Sequence, residues 1–235
     1  MAGKLSIVAT PIGNLGDITF RALETFRQCD VVLAEDTRTT IGLLKHYDIS
    51  HKEVFSFFEG NEERKINFAI TLLLQGKHVA LASESGTPTI SDPGYKLVRE
   101  AINSDITVES IPGPTALIAA LTTSGLPTNA FLFLGFLPKK ESHAKKMLIQ
   151  AKDTVSNIEQ LKTILFYESP HRLIKTLKLI WEVYGDIQIV VARELTKLHE
   201  EVRREKVSDS LAHFGEAKPR GEFTILLVVD QGRQV

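Results

Sequence analysis

Short apolar runs alternate along this chain with longer stretches whose apolar residues recur at helical spacing. Residues 5–9 read as a buried strand, and over 19–29 Phe20, Leu23 and Phe26 fall at helical intervals. A second strand follows over 31–34, a second helix over 37–47 and a third strand over 54–57. Asn61 reads as the N-cap of a helix through Gln75, with Glu62 and Glu63 suited to its first turn and Gly76 at its end. Residues 79–82 make a fourth strand, 95–103 a helix and 107–110 a fifth strand. Five strands alternating with helices predict an α/β fold with a parallel sheet covered on both faces.

Pro112-Gly113-Pro114 breaks this rhythm and marks the best domain boundary. Residues 115–123 form a helix of small and aliphatic residues suited to packing between domains, closed by Gly125-Leu126-Pro127. The second half repeats the alternation, with strands over 131–134, 163–167, 187–192 and 223–229 and helices near 142–152, 170–184 and 208–215. The expected organisation is an N-terminal α/β domain over 1–111, a linker and helix over 112–128, and a C-terminal α/β domain over 129–235.

Composition narrows the partners. The 235 residues are 43% hydrophobic and 24% charged, with a formal net charge of −1, which excludes disorder and an overall basic coat. The charge is uneven: residues 1–111 hold 11 Lys/Arg against 15 Asp/Glu, and residues 112–235 hold 17 against 14. An anionic partner would meet the second half more naturally. The single cysteine, Cys29, allows no internal disulfide and no Cys/His metal pattern, which fits a reducing compartment. No stretch approaches the roughly 18 apolar residues of a membrane span, and the expectation is a cytoplasmic protein with no membrane or metal partner.

Several loops carry candidate chemistry. Thr10-Pro11-Ile12-Gly13-Asn14-Leu15-Gly16-Asp17 follows the first strand, where parallel sheets bind ligands and glycine admits them to the backbone. It lacks a dinucleotide or triphosphate fingerprint, and a plain turn stays open. The run from Ser83 to Gly94, after the fourth strand, holds Glu84, Gly86-Thr87-Pro88, Ile90 and Asp92-Pro93-Gly94. Such a stiff polar loop suits a zwitterionic ligand, although Asp92 alone reads better as a cap for the next helix. Glu35, Asp36 and Arg38 end the second strand; they fit proton transfer or substrate contact, or equally an N-cap with a local ion pair.

In the second half, Tyr167-Glu168-Ser169-Pro170-His171-Arg172 places an aromatic, an acid and a guanidinium together, suited to base stacking and phosphate contact. Ser169 as N-cap and Pro170 at the first helical position is the structural alternative. Arg193 and Lys197 follow the next strand. Arg203, Arg204 and Lys206, with Lys139, Lys140, Lys145 and Lys146, offer a candidate phosphate-binding face.

Taken in order, these motifs resemble the ribosomal RNA small-subunit methyltransferase I group of the tetrapyrrole methylase superfamily. Pro11-Ile12-Gly13-Asn14-Leu15, Ala34-Glu35-Asp36-Thr37-Arg38, Gly86-Thr87-Pro88, Pro112-Gly113-Pro114, Gly135-Phe136-Leu137-Pro138, the Tyr167–Arg172 segment and Ala192-Arg193-Glu194-Leu195-Thr196-Lys197 carry the resemblance, which runs from Leu5 to about Val229. It implies two α/β/α domains of the tetrapyrrole methylase type with a cofactor cleft between them, and a homodimer. It implies S-adenosyl-L-methionine as cofactor and 2′-O-methylation of a cytidine ribose in the decoding region of 16S ribosomal RNA, within the small ribosomal subunit. Carried over by position, cofactor contacts come from Pro11, Ile12, Gly13, Gly86, Thr87, Pro88, Ile90, Thr115, Ala116, Tyr167, Arg193 and Glu222. Arg38, Arg172, Arg193 and Lys197 are the candidates for holding substrate.

Two departures stand out: Glu84-Ser85 replaces the group's usual Asp-Ala, and Phe57-Phe58-Glu59-Gly60-Asn61-Glu62 replaces a histidine-containing acidic motif. A ribose hydroxyl needs a proton acceptor, and Glu35, Asp36, Glu84 and Glu168 are the candidate bases. The alternatives are a methyltransferase acting on a small tetrapyrrole and a ribosome-binding protein without catalysis.

Overall fold

The computed structural model describes residues 3–229. They divide into two compact units, one ending at Thr115 and the other starting at Ala116.

The first unit is built on five parallel strands: β1 (Lys4–Val8), β2 (Val31–Ala34), β3 (Glu53–Ser56), β4 (His78–Ala82) and β5 (Thr107–Ile111), in the order β3-β2-β4-β1-β5. The alternation of side chains along a strand sorts its core into two layers. Leu5, Ile7, Val31, Leu33, Val79 and Leu81 pack with Leu73 of α3 (Glu62–Leu74) and Leu97 of α4 (Tyr95–Asn103). Val8, Val32, Ala80 and Ala82 pack with Phe26 of α1 (Phe20–Gln28) and Leu44 of α2 (Thr37–His46). Both faces are covered, which is why the central strands are apolar at successive positions rather than alternating.

Cys29 ends α1, 1% exposed, and its thiol donates to the Phe26 carbonyl at 3.4 Å. Burial pushes this thiol up to about 11, outweighing the nearby Lys52 ammonium. Because the thiolate is the reacting species, alkylation at pH 7.5 is expected to run about 100-fold slower in the native protein than in denaturant. Equal rates would contradict this burial.

The second sheet is mixed. Its strands β6 (Phe131–Phe136), β7 (Thr163–Glu168), β8 (Gln188–Arg193), β9 (Glu201–Lys206) and β10 (Phe223–Val228) lie in the order β6-β7-β10-β8-β9. Only β6 and β7 are parallel; β10 is antiparallel to both β7 and β8, and β9 returns antiparallel to β8. Helices α6 (Glu141–Ser156), α7 (Leu173–Tyr184) and α8 (Val207–Gly215) enclose one core with Ile164, Phe166, Val191 and Ile225. Helix α5 (Ala116–Ser124) lies against β7, β8, β9 and β10.

Strand β9 is missing from the sequence reading because its positions are mostly charged. It is an edge strand held by ion pairs instead of alternating apolar residues. Arg203 makes a two-pronged pair with Glu205 at 2.6 and 2.7 Å and also meets Glu201 at 3.2 Å. Arg204 donates to the carbonyls of Thr123 and Ser124 at the end of α5, where a helix favours positive charge. These two arginines are therefore committed within their own unit and do not form the expected phosphate face.

Candidate active site

The parallel order of the first sheet carries the loops after β1, β2, β4 and β5 to one edge, the carboxyl end of the strands. There Thr10 and Gly86 exchange both backbone hydrogen bonds, at 2.9 and 3.1 Å, joining the β1 and β4 loops. The Thr87 hydroxyl donates to the Pro114 carbonyl at 3.1 Å and ties in the loop after β5. Gly113 permits that closeness, since a Cβ there would come within 2.9 Å of the Ala9 side chain. Pro11 and Ile12 are buried beneath the edge, whereas Gly13 is exposed.

Gly86 itself has φ +87°, and a Cβ on it would lie 3.2 Å from the Ile12 side chain. Gly86 is buried and its N–H and carbonyl are both taken up by Thr10, so the glycine serves the close packing of the β1 and β4 loops that shape this edge. Gly86→Ala is expected to lower affinity for a ligand bound at this edge roughly tenfold while the unit still folds, through strain of about 1–2 kcal/mol at a left-handed position. Calorimetric titration checks it; unchanged affinity would separate Gly86 from the site.

The rest of the β4 loop is strained and pinned. Thr89 and Ser91 have φ of +73° and +64°, conformations that cost about 1–3 kcal/mol each and cluster at functional sites. Gly94, not Asp92, occupies the N-cap of α4, and its N–H donates to buried Glu62 at 3.0 Å. Glu62 was legible only as a first-turn acid; its tie to a glycine 32 residues away has no local signal. Asn61 holds its N-cap position without capping: its Oδ1 accepts from the Phe58 N–H at 2.9 Å, and its Nδ2 donates to Ser56.

Three candidate carboxylates stand at this edge. Glu35 accepts a hydrogen bond from the Glu84 N–H at 3.2 Å, so the ends of β2 and β4 meet through these residues. Asp36 caps α2, accepting from the Arg38 and Thr39 amides, and pairs with the Arg38 guanidinium at 2.9 Å. The Arg38 side chain and its amide hold the Asp36 carboxyl down at about 2. Arg38 remains 91% exposed despite that pair.

The second unit gathers its motifs at one sheet edge as well. Because β10 runs opposite to β7 and β8, its start lies beside their ends: Phe223 faces Glu168 on one side and Arg193 on the other. Tyr167 packs edge-on against Phe133 and tilted against Phe136, with centroids at 5.1 and 5.5 Å. Its hydroxyl accepts the Leu117 N–H at 3.2 Å in the first turn of α5, beside Ala116.

Glu168 is 2% exposed and fully engaged: it accepts from the Ser169 N–H at 2.7 Å, the Thr176 hydroxyl at 2.5 Å and the Arg172 guanidinium at 2.8 Å. Arg172 also donates to the Leu137 carbonyl at 2.8 Å. This knot starts α7 at Leu173, three residues beyond the expected Pro170, with Arg172 rather than Ser169 at the N-cap.

Arg193 donates to the Arg220 carbonyl at 2.8 Å and meets Glu201 at 3.4 Å. Lys197 bridges Glu194 at 2.9 Å and Glu222 at 2.7 Å. Burial works against both Lys197 and Glu194, yet their pairing holds the ammonium above and the carboxyl below its ordinary pKa. Gly221 allows this packing, since a Cβ there would lie 2.5 Å from Glu194. Of the four cations expected to hold substrate, Arg172, Arg193 and Lys197 are braces of this edge, and Arg38 is the solvent-facing one.

Known proteins carry the same pattern. The family described as Tetrapyrrole (Corrin/Porphyrin) Methylases matches residues 4–210. A Thermotoga maritima protein named ribosomal RNA small subunit methyltransferase I is 47% identical over 225 residues, covering 96% of this chain and 98% of its own. A Halalkalibacterium halodurans protein of the same name is 44% identical, covering 99% of this chain and 78% of its own. Among solved structures, uroporphyrin-III C-methyl transferase from Thermus thermophilus complexed with S-adenyl homocysteine aligns with a TM-score of 0.64 at 17% identity, over 95% of this chain and 97% of that one.

Proposed function

From the premise that this chain belongs to the tetrapyrrole methylase family, we propose that it transfers a methyl group from S-adenosyl-L-methionine to the 2′-hydroxyl of a cytidine ribose in the decoding region of 16S ribosomal RNA. The observation that carries this is the 47% identity to a ribosomal RNA small subunit methyltransferase I, spread over 98% of that relative. The cofactor follows from the family and from its product, bound in a uroporphyrin methyltransferase of like fold. The substrate is the small ribosomal subunit, and the acting form is a cytoplasmic homodimer.

The residues fit such a cofactor. Pro11, Ile12, Gly13, Gly86, Thr87, Pro88, Ile90 and Thr115 belong to the loops that the Thr10–Gly86 and Thr87–Pro114 hydrogen bonds gather at the carboxyl edge of the first sheet. In the second unit, the family likeness assigns Ala116, Tyr167 and the backbone around Arg193 and Glu222 to cofactor binding. When bound, the cofactor supplies an electrophilic methyl carbon on a sulfonium. The chain's own work is to orient the ribose hydroxyl and receive its proton. Glu35 takes that proton. Glu168 has its oxygens committed to three partners, and the Asp36 carboxylate is taken up capping α2 and pairing with Arg38. Glu84 positions Glu35 through its N–H, and Arg38 meets the RNA backbone.

Radiolabelled methyl incorporation into isolated small subunits, free RNA and a tetrapyrrole precursor tests the assignment. Label in the small-subunit RNA is expected. Label confined to the tetrapyrrole would overturn the RNA substrate, and no cofactor binding by calorimetry would overturn catalysis altogether.

A further inference from the structure

Beside the proposed cofactor loops lies a cavity of about 350 Å³, lined by Glu59, Gly60, Asn61, Glu63, Arg64 and Lys96. It opens between the starts of α3 and α4, at the carboxyl edge of the first sheet. None of the proposed cofactor contacts lines it. Its size lies at the small end of ligand pockets, which run from roughly 300 to 1,000 Å³.

An aromatic side chain adjoins the cavity. Phe58, next to the lining residue Glu59, is 45% exposed. Its ring lies over Gly60, where an added Cβ would sit 2.7 Å from the ring carbon Cε2. The turn is clamped from both ends: Phe58 donates to the Asn61 side chain at 2.9 Å, and the Asn61 N–H donates to the Phe58 carbonyl at 2.9 Å. Asn61 is itself 7% exposed and anchored to Ser56. The turn that carries the ring is therefore fixed, and the ring is partly exposed.

The charges around it are sorted. Lys96 is neutralised by Glu63 at 2.9 Å. Arg64 is exposed and has no acidic partner among the described residues. Glu59 is exposed and offers only acceptors. Nearby Tyr95, the first residue of α4, is 64% exposed with the Arg99 guanidinium 5.8 Å over its ring.

Resting on the RNA reading above, we infer that this cavity and the Phe58 ring beside it hold one unpaired nucleotide flanking the methylated one, with its base stacked on Phe58. Arg64 contacts its phosphate, and Glu59 accepts from an exocyclic amino group, which favours adenine, cytosine or guanine over uracil. An aromatic face with one free guanidinium and one free carboxylate matches the three parts of such a nucleotide. An apolar peptide would use neither charge.

The test compares wild type with Phe58→Ala, Phe58→Trp and Arg64→Ala in two readouts. One is binding to isolated small ribosomal subunits by pelleting; the other is methyl incorporation into them. Phe58→Ala is expected to weaken subunit binding and raise KM roughly tenfold, the loss of one base–aromatic stack. Its kcat and affinity for S-adenosylmethionine stay within about twofold, and Phe58→Trp restores binding. Arg64→Ala loses a similar factor. Unchanged binding and KM in both alanine variants, in a wild type that methylates, overturns this site and leaves the RNA activity standing. Phe58-dependent binding with no methyl transfer by wild type supports the site and overturns the activity. Equal weakening in Phe58→Ala and Phe58→Trp overturns the stacking role.

Discussion

Glu35→Gln is expected to bind S-adenosylmethionine with unchanged affinity and to lose about 10²–10⁴-fold in the rate of methyl transfer, the usual worth of a positioned general base. The substitution is nearly isosteric and keeps an acceptor for the Glu84 N–H, now 3.2 Å from the carboxylate, so the junction of the β2 and β4 loops survives. What it removes is the capacity to take a proton. Asp36→Asn serves as the contrast: asparagine caps α2 as well as aspartate, so the change gives up only the charge pair with Arg38 and spares the base. A loss of at most about tenfold in rate is expected there. Single-turnover methyl incorporation separates the two. Full activity in Glu35→Gln would remove the proton-acceptor role from this residue.

Glu168→Ala is expected to cost about 3–5 kcal/mol of stability, because it leaves the Arg172 guanidinium without its buried partner and strands the Thr176 hydroxyl and the Ser169 N–H. That is a large share of the stability of an ordinary domain, roughly 5–15 kcal/mol. Glu168→Gln keeps acceptor and donor atoms in place and is expected to lose less. Urea unfolding followed by circular dichroism measures both. If Glu168→Ala unfolds at the wild-type midpoint yet transfers no methyl group, Glu168 acts in the chemistry and not in the start of α7.

The first sheet was legible because both of its faces are buried. Each central strand is a run of apolar residues, and each covering helix shows its own period, so the parallel α/β reading of that half follows from spacing alone. The second sheet was less legible. Strand β9 substitutes Arg203–Glu201 and Arg203–Glu205 pairs for apolar alternation, and β10 inserts between β7 and β8 from far along the chain.

The motifs themselves were visible in the sequence, but not the division of labour within them. Arg172, Lys197 and Glu168 look like surface chemistry in one dimension. Their partners, Leu137, Glu222 and Thr176, turn them into braces. Conversely, the segment holding Phe58 and Gly60 stood out in sequence only for the histidine it lacks, and only the structure shows its turn clamped by Asn61 with a partly exposed ring. Positive φ at Thr89 and Ser91 was likewise invisible, since neither residue type announces a left-handed backbone.

The most direct measurement digests small-subunit RNA, labelled by this protein and methyl-labelled S-adenosylmethionine, to nucleosides and identifies the labelled one by mass spectrometry. Label in 2′-O-methylcytidine from a single decoding-region position is the predicted result. Label on a base, on a ribose elsewhere in the RNA, or on no RNA at all would contradict it.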